Sequence, residues 1–191
     1  MSVKDKPITA LDLPPAETLA PDMQALFDKC TEKLGFIPNV LQAYSFDQDK
    51  LKLFSSFYDN VMLAPSGLSK LEREMIAVAV SSENRCFYCL VAHGAAVRAL
   101  SKDPSLGEVL AFNFRAGDFD ERTRAMLEFA VKLTRTPADI VEADRAGLRQ
   151  AGFSDRDIWD IAATAAFYNM SNRMAAAVDM QPNMDYHARS R

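Results

Sequence analysis

Apolar residues recur three and four apart in segment after segment of this chain, and no stretch alternates apolar with polar over six residues. That periodicity confines the fold to helices, because a half-buried strand needs a period of two. "PDMQALFDKCTEKLG" puts Met23, Leu26, Phe27, Cys30 and Leu34 on one face and stops at Gly35, a residue suited to the position after a helix end. Cys30 reads there as a small core hydrophobe. "FIPNVLQAYS" reads as a short helix, and "DQDKLKLFSSFYDNVML" carries one stripe from Leu51 to Met62. "GLSKLEREMIAVAVS" opens with Ser69 and Glu72 in capping-box spacing, which marks a firm start. A boundary near Asn84 then separates it from "RCFYCLVAHGAAVRAL".

The second half continues with "DERTRAMLEFAVKLTRTP". Thr136, Pro137 and Asp139 supply a cap, a proline at the first helical position and an acidic first turn for another helix, ended by Gly152. Ser154 with Asp157 starts a last pair. An offset of 85 residues sets "LSKLEREMIAVAVSSEN" against "FSDRDIWDIAATAAFYN", aligning both capping serines, Ile76 with Ile161 and Asn84 with Asn169. The expected fold is therefore an all-α, multi-helix bundle with a duplicated helical hairpin. Its organisation reads as an extended arm over residues 1–18, one domain over 19–181 with related halves near 36–101 and 120–180, and a polar tail over 182–191.

The reactive groups occur in only one of those halves. "SSENRCFYCLVAHG" holds two of the three cysteines and one of the two histidines. At 191 residues the chain can bury a core without disulfides, and a net charge of −4 argues against a phosphate backbone as partner. The N-terminus mixes charge and proline where a secretory signal needs an apolar run, and no later run has membrane-spanning length, so the expected compartment is the cytoplasm. In a reducing compartment a close cysteine pair points to redox chemistry or metal rather than to a structural disulfide.

With Asn84 as the cap of the following helix, Cys86 falls at its second position and Cys89 within the first turn and a half. The helix N-terminus, with Arg85 adjacent, favours thiolate. Residues three apart on a helix lie about 5 Å apart, within disulfide reach. His93 is one turn beyond Cys89 on the same face, a base beside a nucleophile. Glu74 sits among Leu71, Ala77 and Val78 on an apolar stripe, where a carboxylate needs a partner. Counted from the turn, Glu74 and His93 come level in an antiparallel hairpin, so Glu74 is placed to orient His93.

Zinc is the competing use of these groups. Cys86, Cys89 and His93 offer three ligands, but a structural site takes four, and only Cys30 and His187 remain. His187, in "DYHARSR", reads as solvated. Trp159, Tyr168, Asn169, Asn172 and Arg173 fall in the region equivalent to the reactive hairpin, as pocket wall or subunit interface.

On Glu74, Cys86-Phe87-Tyr88-Cys89 and His93, supported by "LGFIPNVLQAYS", "MLEFAVKLTRTP" and "AGFSDRDIWDIAATAAFYNMSNR", the chain resembles the alkylhydroperoxidase D-like branch of the carboxymuconolactone decarboxylase superfamily. Its peroxidase-related members are the most similar. The resemblance spans roughly residues 20–180. It implies an all-helical fold with a duplicated hairpin, homo-oligomers and a peroxidase acting on an organic hydroperoxide without cofactor or metal. In that scheme Cys89 is the peroxidatic thiolate, Cys86 resolves the sulfenic acid to a disulfide, His93 deprotonates Cys89 and Glu74 completes the relay. The electron donor implied is a dithiol such as a lipoyl group on a partner protein. Two other uses of the same residues remain open, a dithiol-disulfide oxidoreductase or redox sensor, and a zinc-binding helical oligomer. Tyr88 departs from the family pattern, standing where the best-known peroxidatic members carry a histidine. A phenol donates a hydrogen bond but is a poor base near neutral pH. Tyr88, Trp159 and Tyr168 are the expected pocket residues.

Overall fold

The computed structural model describes residues 6–191, and among these every regular element is a helix. The ten α-helices are α1 (Pro21–Leu34), α2 (Asn39–Tyr44), α3 (Gln48–Tyr58), α4 (Lys70–Glu83), α5 (Phe87–Ser101), α6 (Leu106–Asn113), α7 (Glu121–Arg135), α8 (Glu142–Gln150), α9 (Asp155–Ala177) and α10 (Asp185–Ala188). The all-α class expected from periodicity is what forms.

The centre of the bundle is α4, which packs against α5, α6, α7 and α9. Arg73 through Ser81 are buried without a break, as a helix enclosed on every side requires. Its start is fixed by the expected capping box: Glu72 N donates to Ser69 Oγ at 3.1 Å and Ser69 N donates to Glu72 Oε2 at 2.7 Å. Ser154 and Asp157 repeat the device at the start of α9, at 3.2 and 2.8 Å. The two aligned segments therefore begin alike, but they end differently. At the position equivalent to the α4–α5 turn, α9 runs on as one 23-residue helix, so no second hairpin pair follows Ser154. Asn169 stays helical because its amide donates to Ala165 O, one turn back, and to Thr134 Oγ1 on α7.

Three further expectations change. Thr136, Pro137 and Asp139 make only a 3-10 turn, and α8 begins at Glu142, where Asp144 accepts from Val141 N and holds Lys132. A helix unmarked in the sequence reading, α6, closes on α5: a methyl group on Gly107 would stand 2.9 Å from the Gly94 carbonyl oxygen. After α3 the stripe ends in a π-helical turn, Asp59–Leu63, whose last carbonyls are taken by the buried Arg73: Nη1 donates to Val61 O at 3.2 Å and Ala64 O at 2.9 Å.

The described part of the arm, residues 6–18, carries no helix and is pinned by backbone hydrogen bonds of Ala10 to Val178, Gln181 to Ile8 and Ala16 to Ser45. Residues 1–5 of that arm lie outside the described residues. The tail is packed rather than free. Asn183 bridges Asn39 N and Ile37 O, while the buried Arg98 donates to Tyr186 O and Arg189 O. His187 accordingly is half-buried against Phe87, with its Nε2 enclosed, and is not the solvated residue expected. Among the described residues no helix is long and apolar enough to cross a membrane.

Candidate active site

The site is built on the turn between α4 and α5. Arg85 adopts the left-handed conformation (φ 51°), Cys86 N donates to Ser81 O at 2.9 Å and Arg85 N donates to Ser82 O at 3.1 Å. These are the two bonds of a Schellman ending, made here with arginine where glycine is usual. Asn84 thus terminates α4 instead of capping α5, and Cys86 is itself the residue preceding the first turn of α5. The freed Asn84 amide donates to Asn169 Oδ1 at 3.1 Å and Asn172 Oδ1 at 2.9 Å, and Asn172 Nδ2 donates to Ser81 Oγ at 3.0 Å. That network ties the turn to the uninterrupted α9.

Both cysteines are reduced and buried. The Cys86 thiol is lowered to about 7, first by the Cys89 thiol hydrogen bonded to it, then by the Cys89 backbone amide, the field of His93 and the Asn172 amide, against the cost of burial. Cys89 moves the opposite way, well above the ordinary thiol value, because it donates to Cys86 and because it is buried. Arg85, expected to contribute a cation, is exposed and not among the principal groups acting on Cys86.

Glu74 and His93 meet as the register count requires. Glu74 Oε2 lies 2.7 Å from His93 Nδ1, and their side chains are 10 % and 15 % exposed. A carboxylate oxygen accepts, so Nδ1 carries the hydrogen of this bond and the ring is held in one orientation, with Nε2 on its other side. Tyr168 braces the imidazole edge-on, with ring centroids 4.7 Å apart and its hydroxyl 3.4 Å from Nδ1.

These groups border a cavity of about 310 Å³. Cys89, His93, Glu74, Tyr88 and Tyr168 line it, whereas Cys86 does not. Tyr88 is fully packed, and its hydroxyl accepts from Val40 N at 3.0 Å, fixing the start of α2 against α5. Trp159 does not join this cavity: it is 72 % exposed and borders a separate groove with Phe57 and Arg156. The 85-residue offset pairs it with Glu74, but α9 turns that position toward solvent. Arg173 likewise lies outside, bonded back to Asn169. Tyr58, Tyr186 and Cys30 also line the cavity. Tyr58, on the apolar stripe read from the sequence, arrives from the last residue of α3, and Tyr186 arrives on the docked tail, for which the sequence pattern offered no signal. Cys30, expected purely as core, packs partly buried against it and opens onto the cavity as well. Among the described residues no three His, Cys, Asp or Glu side chains are grouped to hold a metal ion.

A helical bundle that sets one buried cysteine pair and a carboxylate-held imidazole beside an apolar cavity defines a class, the AhpD-like helical proteins. The chain belongs to the carboxymuconolactone decarboxylase family, within its peroxidase-related, AhpD-like members. The "Carboxymuconolactone decarboxylase family" profile matches residues 48–112, α3 through α6. An uncharacterized peroxidase-related protein from Silicibacter sp. shares 58 % identity over 98 % of each chain, with a TM-score of 0.95. A second one, from Ralstonia eutropha and described as an alkylhydroperoxidase AhpD core, shares 40 % identity over 97 % of this chain and 98 % of its own, at 0.93. The debrominase Bmp8 shares the fold at 23 % identity, over 98 % of this chain and 97 % of its own, with a TM-score of 0.77. Curated proteins yield no match.

Proposed function

We propose that the protein is a thiol-dependent peroxidase that reduces an organic hydroperoxide by cycling Cys86 and Cys89 between dithiol and disulfide. The observation that carries this reading is that the buried Cys89 lines the cavity together with His93 and Glu74, while Cys86, hydrogen bonded to it, does not. Relatives described as peroxidase-related support it.

In the reduced pair the thiolate rests on Cys86 and the shared hydrogen on Cys89. Passing that hydrogen to Cys86 gives a Cys89 thiolate facing the cavity, and His93, which lines the same cavity, takes or returns a proton in this scheme. Cys89 attacks the terminal oxygen of R–O–O–H. The O–O bond breaks, the alkoxide takes a proton and leaves as the alcohol, and Cys89 becomes a sulfenic acid. Cys86 then attacks the Cys89 sulfur, expelling hydroxide that leaves as water, and the disulfide forms. A dithiol donor, such as a lipoyl group on a partner protein, restores the pair with two electrons and two protons and is itself oxidised to a disulfide. Exchange with folded protein disulfides is less well served, because both sulfurs are at most 4 % exposed. Self-association, which family membership implies, has support in the exposed Trp159, Met170 and Met174 along one side of α9.

The test is the rate at which reduced protein loses thiols to an alkyl hydroperoxide, with the oxidised sites located by peptide mass mapping. Fast, selective formation of the Cys86–Cys89 disulfide is expected, with Cys89→Ser inert and Cys86→Ser accumulating sulfenic acid at Cys89. Undiminished turnover in Cys89→Ser would overturn the assignment.

A further inference from the structure

The cavity is graded from one end to the other, and the gradation describes the molecule that fills it. Its buried polar lining is Cys89, Glu74 and Tyr168, which are 1 %, 8 % and 1 % exposed, and burial marks this as the end away from solvent. The rest of the wall is largely hydrocarbon and aromatic, with Leu26, Leu34, Leu41, Phe54 and Phe167. The outer end is charged: Lys29 and Lys33 lie one turn apart on α1, exposed on the same rim as Asp59, and none of the three is ion-paired among the described residues. Two lysines against one aspartate leave that rim net positive. An apolar interior cannot satisfy a polar or charged ligand group, so such a group must lie at one of the two ends.

A small peroxide needs neither the hydrocarbon wall nor the cationic rim. The cavity volume of about 310 Å³ lies at the lower bound of small-molecule sites, far above what hydrogen peroxide requires. In the same wall, Tyr58 and Tyr186 bring hydroxyls for which no hydrogen bond with the protein forms among the described residues. Phenols lining an apolar cavity without protein partners are available to a ligand oxygen.

We propose that the substrate is an amphiphilic organic hydroperoxide, with an apolar chain or arylalkyl body, its O–O bond at Cys89 and a carboxylate at the far end held by Lys29 and Lys33. This rests on the peroxidase reading of the same site and names the substrate class within it. Lysine is suited to the rim because its ammonium stays hydrated while its stem lies along the apolar wall. Attraction at an exposed rim is modest and screened by salt, so the lysines select between substrates while the apolar body supplies most of the affinity.

The experiment compares consumption of 13-hydroperoxyoctadecadienoate, its methyl ester, cumene hydroperoxide and hydrogen peroxide by the reduced protein. In parallel, calorimetry measures binding of the corresponding hydroxy acid to Cys89→Ser. The acid is expected to exceed its ester in kcat/KM by about fivefold, the ratio falling to about one in a Lys29→Ala/Lys33→Ala variant and at high salt. Both are expected to exceed hydrogen peroxide. Preference for cumene hydroperoxide over the long-chain ester would assign the body as arylalkyl, with the lysine dependence of the acid still required. An ester as good as the acid, or hydrogen peroxide as good as either, overturns the proposal and leaves the peroxidase standing. If no hydroperoxide is consumed while the hydroxy acid binds Cys89→Ser through the two lysines, the peroxidase reading fails and the cavity is an amphiphile-binding site. Absence of both consumption and binding removes both.

Discussion

Glu74 Oε2 and His93 Nδ1 stand 2.7 Å apart, joining α4 to α5 across the turn that leads into Cys86 and Cys89. The carboxylate fixes a hydrogen on Nδ1, and in the proposed peroxidase cycle it leaves Nε2 as the nitrogen that exchanges a proton. Glu74→Gln keeps the shape but loses the charge, and its amide can turn either an oxygen or an N–H toward Nδ1. Peroxide reduction is expected to fall by about tenfold or more, within the range general acid-base groups contribute. Thermal stability should change little by comparison. The check is the pH–rate profile: loss of proton handling alters its shape, whereas a merely structural effect lowers the rate equally at every pH.

The lowered Cys86 thiol makes the reactivity of the reduced pair pH-dependent in a defined direction. Thiolate is half-formed at about pH 7, so the rate of thiol loss to a hydroperoxide should rise through neutrality and level off about one unit above it. Because the folded value lies below the ordinary 9.0, ionisation also favours the folded state. Reduced protein should gain stability as pH rises from 7 to 9 and lose it as pH falls through 7. The raised Cys89 opposes this only above the ordinary thiol range. Oxidised protein has neither thiol and should lack the slope. Denaturation of both forms across this range measures it, and a reduced protein with no excess slope, or a rate midpoint near 9, would contradict the assignment.

Asn172 links the fold to the chemistry. It is 1 % exposed, accepts from Asn84, donates to Ser81 Oγ, and its amide lowers both thiols. Asn172→Ala leaves the buried Ser81 hydroxyl and one Asn84 hydrogen without their partner, at about 1–3 kcal/mol. The same substitution should raise the pH midpoint of Cys86 reactivity. Denaturant unfolding and pH-dependent alkylation, measured on one sample, test both effects. A stability loss with an unmoved midpoint would show that Asn172 supports the turn without tuning the sulfurs.

How far the sequence reached follows from which forces are local. Caps and periodicity are written in neighbouring residues, so α1, α4 and the start of α9 were legible from Gly35, the Ser69–Glu72 pair and the Ser154–Asp157 pair. The meeting of Glu74 with His93 was legible because a hairpin about one boundary converts residue count into height. The turn itself was misread at Asn84, since a left-handed Arg85 leaves no mark in composition. The aligned halves misled for the same reason: Asn84 and Asn169 match, yet one ends a helix and the other stays inside one, and tertiary partners decide between those outcomes. Tyr186 reaches the cavity on a tail held by Arg98, and the stripe beyond Tyr58 ends in a π-helical turn completed by Arg73. Both are long-range arrangements that no local pattern encodes.

Tyr168 separates two ways of holding the imidazole. Its hydroxyl is 3.4 Å from His93 Nδ1, long for a hydrogen bond, whereas its ring packs edge-on at 4.7 Å and is almost wholly buried. Since Nδ1 is already committed to Glu74, the ring is the stronger restraint. Tyr168→Phe should therefore retain peroxide reduction within about threefold and most of the stability, because the contact it removes is at most a weak hydrogen bond. Tyr168→Leu keeps burial but removes the aromatic edge, and should cost about 1–3 kcal/mol with a larger fall in rate. Unfolding and initial-rate measurements on both variants decide it. A Tyr168→Phe protein as impaired as Tyr168→Leu would assign the hydroxyl, not the ring, as the group that positions His93.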